Sequence, residues 1–147
     1  MAQHYLRYEI VPVQEIMDDI FRNWKQNQAR VQRPNGKWVG VSSLRMKTFG
    51  IAFKSENGLK CVTCGCEGKF FAIETTKGQE APHLNLYGIK DGEEILFTHD
   101  HILARALGGA DDLSNSQLMC SPCNNNKSKD ESREVLRRRK LAENLNN

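Results

Sequence analysis

The chain has 147 residues, 27% of them charged and 39% hydrophobic. That balance suits a single domain with its own core and excludes a disordered chain. No apolar run approaches the eighteen or so residues that a membrane span needs, and the polar start lacks the apolar stretch of a signal peptide, so a cytoplasmic setting is expected.

The net charge of +3 hides an uneven distribution. Residues 21–60 carry nine Lys/Arg against one acid, residues 61–98 three Lys against six acids, and residues 124–140 seven Lys/Arg against three acids. Two basic stretches around an acidic middle suit a polyanionic partner, although solvated helix faces give the same pattern.

In chain order, residues 12–28 predict a helix. Val13, Ile16, Met17, Ile20, Phe21 and Trp24 recur at helical spacing on one face, and Pro12 suits the first helical position. Trp24 is expected in the core. Arg33-Pro34-Asn35-Gly36-Lys37-Trp38 reads as a basic turn, with Trp38 free either to stack on a base or to fill the core beside Val39 and Val41; the core is preferred. Ser42 or Ser43 can cap a second helix running to about Lys54 and stopped by Ser55-Glu56-Asn57-Gly58.

From residue 69 the pattern turns to strands, at Phe70-Phe71-Ala72-Ile73, Leu84-Asn85-Leu86-Tyr87 and Ile95-Leu96-Phe97-Thr98. Asp91-Gly92 between the last two marks a hairpin. Gln117-Leu118-Met119 is a short return strand. Ser121-Pro122 predicts the cap and first position of a closing helix with Asn124 in its first turn, and Ser128-x-x-Glu131 predicts a break and restart within it. Val135, Leu136 and Leu141 give its tail a thin apolar side.

Five cysteines in a reducing compartment point to metal rather than to disulfides. Cys61/Cys64 and Cys120/Cys123 are two matching Cys-x-x-Cys knuckles that can converge on one tetrahedral Zn²⁺, joining the ends of the intervening β region. Cys66 is left over. Paired free cysteines are the plain alternative.

Residues 98–127 concentrate the remaining chemistry. His99-Asp100-His101 ends a strand, Gly108-Gly109 hinges a loop, Asn115 stands alone, and Cys120-Ser-Pro-Cys123-Asn124 runs on to Lys127. Asp100 and His101 are adjacent, so on an ideal strand they point to opposite faces.

This order resembles the HNH (ββα-metal) endonucleases in their zinc-braced branch, and is similar to stand-alone members encoded by bacteriophages. The resemblance covers residues 61–129 and does not extend to the first sixty. It implies a ββα-metal nuclease core with a structural Cys₄ zinc; with the helices read before it at residues 12–54, the expected fold is α+β. Residues 1–60 would be a helical, basic region packing on residues 61–147, which would hold the core and a basic closing helix.

It further implies that Asp100 and Asn124 hold a catalytic Mg²⁺ or Mn²⁺, that His101 is the general base, and that Asn115 pins the loop through backbone hydrogen bonds. Asn124 and Ser128 stand where other members carry histidines, which favours a hard cation. DNA is the implied substrate, cut to 5′-phosphate and 3′-hydroxyl ends. Lys37, Arg105, Lys127, Arg137 and Arg138 are candidate DNA contacts, and a homodimer or other phage proteins are candidate partners. His99, on the same strand face as His101, could orient it or touch substrate; a half-exposed histidine with no catalytic role is preferred. The alternative is a non-catalytic zinc-braced nucleic-acid-binding module.

Overall fold

A computed structural model describes residues 5–76 and 81–146. Its frame is an antiparallel sheet in which β1 (Tyr5–Pro12), β4 (Gly68–Thr76), β5 (His83–Lys90), β6 (Glu93–His101) and β7 (Ser116–Cys120) lie side by side in that order. A separate hairpin pairs β2 (Arg30–Gln32) with β3 (Trp38–Gly40), and the helices are α1 (Val13–Lys25), α2 (Leu44–Lys54) and α3 (Ser121–Leu145). The fold is α+β. No helix among the described residues is long and apolar enough to cross a membrane.

The helical period of α1 puts Ile16, Met17 and Ile20 wholly inside the core. Phe21 and Trp24 pack against it half-buried, and the Trp24 indole donates to the Val41 carbonyl at 2.9 Å. Pro12 caps α1 from an extended conformation, one residue before the expected position. Ser43 caps α2 by accepting from the Met46 amide, and Ser55 ends it.

Two expectations about the first sixty residues need correction. Trp38 is 50% exposed, whereas Val39 is fully buried. Neighbours on a strand cannot share a face, and the Asn35-Gly36 turn sets a register that turns Val39 inward. Arg33 does not belong to a basic loop: it is 5% exposed and bonds Asp19 and Glu15 of α1, each at 2.5 Å. Those acids neutralise it and anchor the hairpin.

The sequence also gives no sign of β1. Its apolar residues Leu6, Tyr8 and Ile10 face outward, and Arg7 is the residue turned toward the sheet. Arg7 donates to Glu74 at 2.7 Å and to both oxygens of Glu94, and lies over the rings of Phe70 and Tyr87. Glu74, 1% exposed, also accepts from Asn85 at 2.8 Å and from the Tyr87 hydroxyl at 2.5 Å. Burial and the neighbouring Glu74 carboxylate push the Tyr87 phenol well above its ordinary pKa. This charged plug holds β1, β4, β5 and β6 together on one face, while Phe71, Ile73, Leu84 and Leu86 fill the core on the other.

At the β5–β6 turn Asp91 and Gly92 both have positive φ, 53° and 79°, the two-residue hairpin conformation that Asp-Gly favours. After β7 the chain enters α3, a continuous helix of 25 residues capped at Cys120 rather than at Ser121. The expected break at Ser128 does not occur. Glu131, the residue that would complete a capping box, bonds Lys127 one turn back at 2.7 Å, within the helix.

Candidate functional site

The two Cys-x-x-Cys knuckles meet in space. The sulfurs of Cys61, Cys64, Cys120 and Cys123 all lie within 4.8 Å of one another, and Cys64 and Cys120 are 3.7 Å apart. Thiolates around a tetrahedral zinc, at about 2.3 Å from the metal, stand about 3.8 Å from each other, so the four fit a structural Zn²⁺.

The knuckle is shaped locally. Gly65 has φ +76° and its amide returns to the Cys61 carbonyl, while the Val62 amide donates to Leu118 of β7 at 3.0 Å. Burial raises the Cys61 thiol, but the amides of Cys64, Cys120 and Thr63 outweigh it and bring the group down to about 7. Burial pushes Cys120 well up. Cys66 lies outside the cluster, as expected: its sulfur packs against the position of Gly88, where an added Cβ would lie 3.0 Å away.

β6 carries two donor sets, one on each face. Thr98 and Asp100 face α3. The Asp100 carboxylate, 7% exposed, takes the Gln117 amide at 3.0 Å and the Lys127 ammonium at 3.1 Å, both through Oδ2. Asn124 donates to the Thr98 hydroxyl at 2.9 Å. Asp100 Oδ1 and Asn124 Oδ1 make no hydrogen bond to a described residue, so each keeps a free hard oxygen. Those donors fit an oxygen-seeking divalent cation.

Lys127 also donates to the His101 carbonyl at 2.8 Å and to Glu131. Its ammonium is therefore turned inward as the counter-ion of Asp100. This placement differs from the outward phosphate contact expected of it, because three internal oxygens satisfy all three of its donors.

His99 and His101 occupy the other face, their rings 5.6 Å apart. His101 Nε2 bonds Asp111 Oδ1 at 2.8 Å, and this bond holds the Asp111 carboxyl below its usual pKa. Burial, helped by the charges of His101 and Arg45, lowers the pKa of His99, whose Nε2 is buried without a hydrogen-bond partner. Nothing in the sequence singles out Asp111: it lies in a polar loop ten residues from His101, and no spacing rule joins them.

Asn115 organises that loop. Its Oδ1 accepts from the Leu103 amide at 2.9 Å, and its Nδ2 donates to the carbonyls of Leu103 at 2.9 Å and Ala110 at 2.8 Å. The resulting turn is so tight that a Cβ on Gly109 would lie 1.7 Å from the Leu103 oxygen. Arg105 starts the short 3₁₀ turn Arg105–Leu107, exposed and 4.0 Å from Asp111.

The other candidate DNA contacts are dispersed. Arg137 and Arg138 share Glu134 on the open side of α3, and Lys37 lies over the Tyr8 ring at 3.9 Å.

No curated protein and no solved structure matches the chain. Residues 89–140 match the family model described as HNH endonuclease. That span contains β6 with Asp100 and His101, the Asn115 loop, the second cysteine knuckle and most of α3. Over these residues the chain is similar to the HNH endonucleases.

Proposed function

We propose that the chain is a metal-dependent endonuclease that hydrolyses DNA phosphodiester bonds, leaving 5′-phosphate and 3′-hydroxyl ends. The observation that supports this reading best is the division of β6. Asp100 faces the α3 cleft while its neighbour His101 faces the Asp111 loop. In-line displacement at phosphorus needs the attacking water and the leaving oxygen on opposite sides, and adjacent strand residues supply groups to both.

His101 takes the proton of the attacking water, the role for which histidine is the usual side chain. Asp100 and Asn124 would hold Mg²⁺ or Mn²⁺ through their free oxygens. When bound there, the cation supplies positive charge to the phosphate and to the leaving 3′ oxygen. Asn115 keeps the intervening loop in place. Lys127 neutralises Asp100 before a cation arrives, and the first turn of α3 offers unpaired N–H groups to a phosphate. Arg105, Arg137, Arg138 and Lys37 contact the DNA backbone.

One such centre cuts one strand at a time, so a double-strand break needs a homodimer or two successive nicks. The substrate is DNA in the cytoplasm, including that of a host cell if the chain is phage-encoded.

Lys127 beside Asp100 favours a second reading, in which a permanent internal ion pair replaces the metal and the chain only binds nucleic acid. Incubation with supercoiled plasmid and Mg²⁺ separates the two. The nuclease reading predicts conversion to open circles by the wild type and a loss of about 10²-fold or more with His101→Ala, as removal of a general base implies. A wild type that binds plasmid without nicking it would leave the binding module.

A further inference from the structure

The odd-numbered face of β6 carries more than His101. A His-x-His pair on a strand places both imidazoles on the same side, close enough to chelate one ion. His99 and His101 are such a pair, and Asp111 closes the set from the loop. One ligand atom from each of the three lies within 4.8 Å of the others. Two nitrogens and a carboxylate oxygen suit borderline transition metals, in contrast to the oxygen donors offered by Asp100 and Asn124 on the opposite face.

A second observation points the same way. His99 Nε2 is buried without any hydrogen-bond partner. His99 and Asp111 also line one groove with Gly40, Arg45 and His83, so the site opens to solvent beside the hairpin.

We propose that His99, His101 and Asp111 form a transition-metal site, separate from the cysteine cluster, at which Zn²⁺ inhibits the nuclease by occupying His101. The inhibitory half rests on His101 being the base; the binding half does not. A ligated ring nitrogen has no lone pair left for a proton, so His101 cannot accept one from water while the ion is bound. The guanidiniums of Arg45 and Arg105 stand nearby and weaken the hold on a cation. This makes the ion a reversible ligand rather than a resident one.

The test uses the full chain with the cysteine cluster already filled by one zinc. Added Zn²⁺ is followed by calorimetry, and Co²⁺ by its visible spectrum, since a nitrogen–oxygen site lacks the sulfur charge-transfer bands of cysteine ligation. The proposal expects a second Zn²⁺ per chain, weaker than the first, and a Co²⁺ spectrum without those bands. Plasmid nicking in excess Mg²⁺ should fall tenfold or more as that second site fills.

His99→Ala and Asp111→Asn should each shift both the binding and the inhibition midpoints upward by tenfold or more. Asp111→Asn alters an exposed loop residue and keeps a hydrogen-bonding group opposite His101, so it guards against a folding failure in His99→Ala. A stoichiometry of one zinc, or variants inhibited at wild-type zinc concentrations, overturns the proposal. Absence of all nicking with Mg²⁺ would instead defeat the endonuclease reading, and the second-site stoichiometry would still decide whether the metal site exists.

Discussion

At Asn115 a single amide makes three hydrogen bonds, to Leu103 and Ala110 of the loop between β6 and β7. Asn115→Ala should cost about 1–3 kcal/mol, since each partly exposed hydrogen bond contributes about 1 kcal/mol. Loss of nicking should exceed what that instability explains, by about 10²-fold, because misplacement of a catalytic group by about 1 Å has effects of that size. Thermal melting and single-turnover nicking of the same variant separate the two effects.

Glu74 is the residue on which the sheet's charged plug depends. Truncation to alanine would leave Arg7 with Glu94 alone and take the acceptor from Asn85 and Tyr87. Breaking a buried pair of this kind costs about 3–5 kcal/mol, which urea unfolding of Glu74→Ala would read directly. Glu94 adds a pH dependence. Its hydrogen bond with Arg7 holds its carboxyl below the ordinary value of 4.5. A depressed carboxyl contributes stability that is fully present above its unfolded pKa and lost as pH falls through the folded one. Melting temperature should therefore drop more steeply below about pH 4 in the wild type than in Glu94→Gln, given the usual glutamate range.

Among the elements, the zinc knuckles couple parts of the chain that are far apart. Cys61 and Cys64 lie before β4, and Cys120 and Cys123 lie where β7 becomes α3, so an ion at the cluster ties together the two ends of the β4–β7 segment. Chelation of zinc should lower the melting temperature and abolish nicking together, and the metal content before chelation should be one zinc per chain. Cys61→Ser should reproduce both effects. Cys66→Ser, outside the cluster, should alter neither metal content nor nicking.

The elements also show where sequence patterns carry structural information and where they do not. Helical periodicity located α1, a serine cap located α2, and Asp91-Gly92 located the β5–β6 hairpin, because in each the local preference and the tertiary role agree. β1 escaped because its polarity is inverted: Leu6 and Ile10 face water, and only Glu74 and Glu94, distant in sequence, make an inward Arg7 favourable. Trp38 was misplaced because composition alone does not set a hairpin's register. In the site, adjacency in sequence already implied opposite faces for Asp100 and His101. The pairings of Asp111 with His101 and of Lys127 with Asp100 depend on loop and helix docking, and no local pattern encodes them.

Over the whole molecule, the basic residues are dispersed rather than gathered in one patch. Arg33 is neutralised internally and Lys127 is turned inward, so fewer positive charges face solvent than the sequence counts suggest. Arg105, Arg137 and Arg138 remain exposed. Replacing Arg137 and Arg138 together by alanine should weaken DNA binding uniformly across sequences and flatten the slope of log affinity against log salt by up to about 1.8, since each phosphate contact contributes about 0.9. Binding isotherms at several salt concentrations would measure it.

In the proposed mechanism the two faces of one strand end divide the work, with a cation held on the Asp100 face and a base on the His101 face. Magnesium titration of the nicking rate, carried out in parallel on the wild type, Asp100→Ala and His101→Ala, tests it most directly. Wild-type nicking should saturate with Mg²⁺ and vanish without it. His101→Ala should lose rate at saturating Mg²⁺ while keeping a similar midpoint, whereas Asp100→Ala should need far more Mg²⁺ or fail to nick at all. Nicking that is independent of Mg²⁺, or an Asp100→Ala chain with the wild-type midpoint and rate, would contradict it.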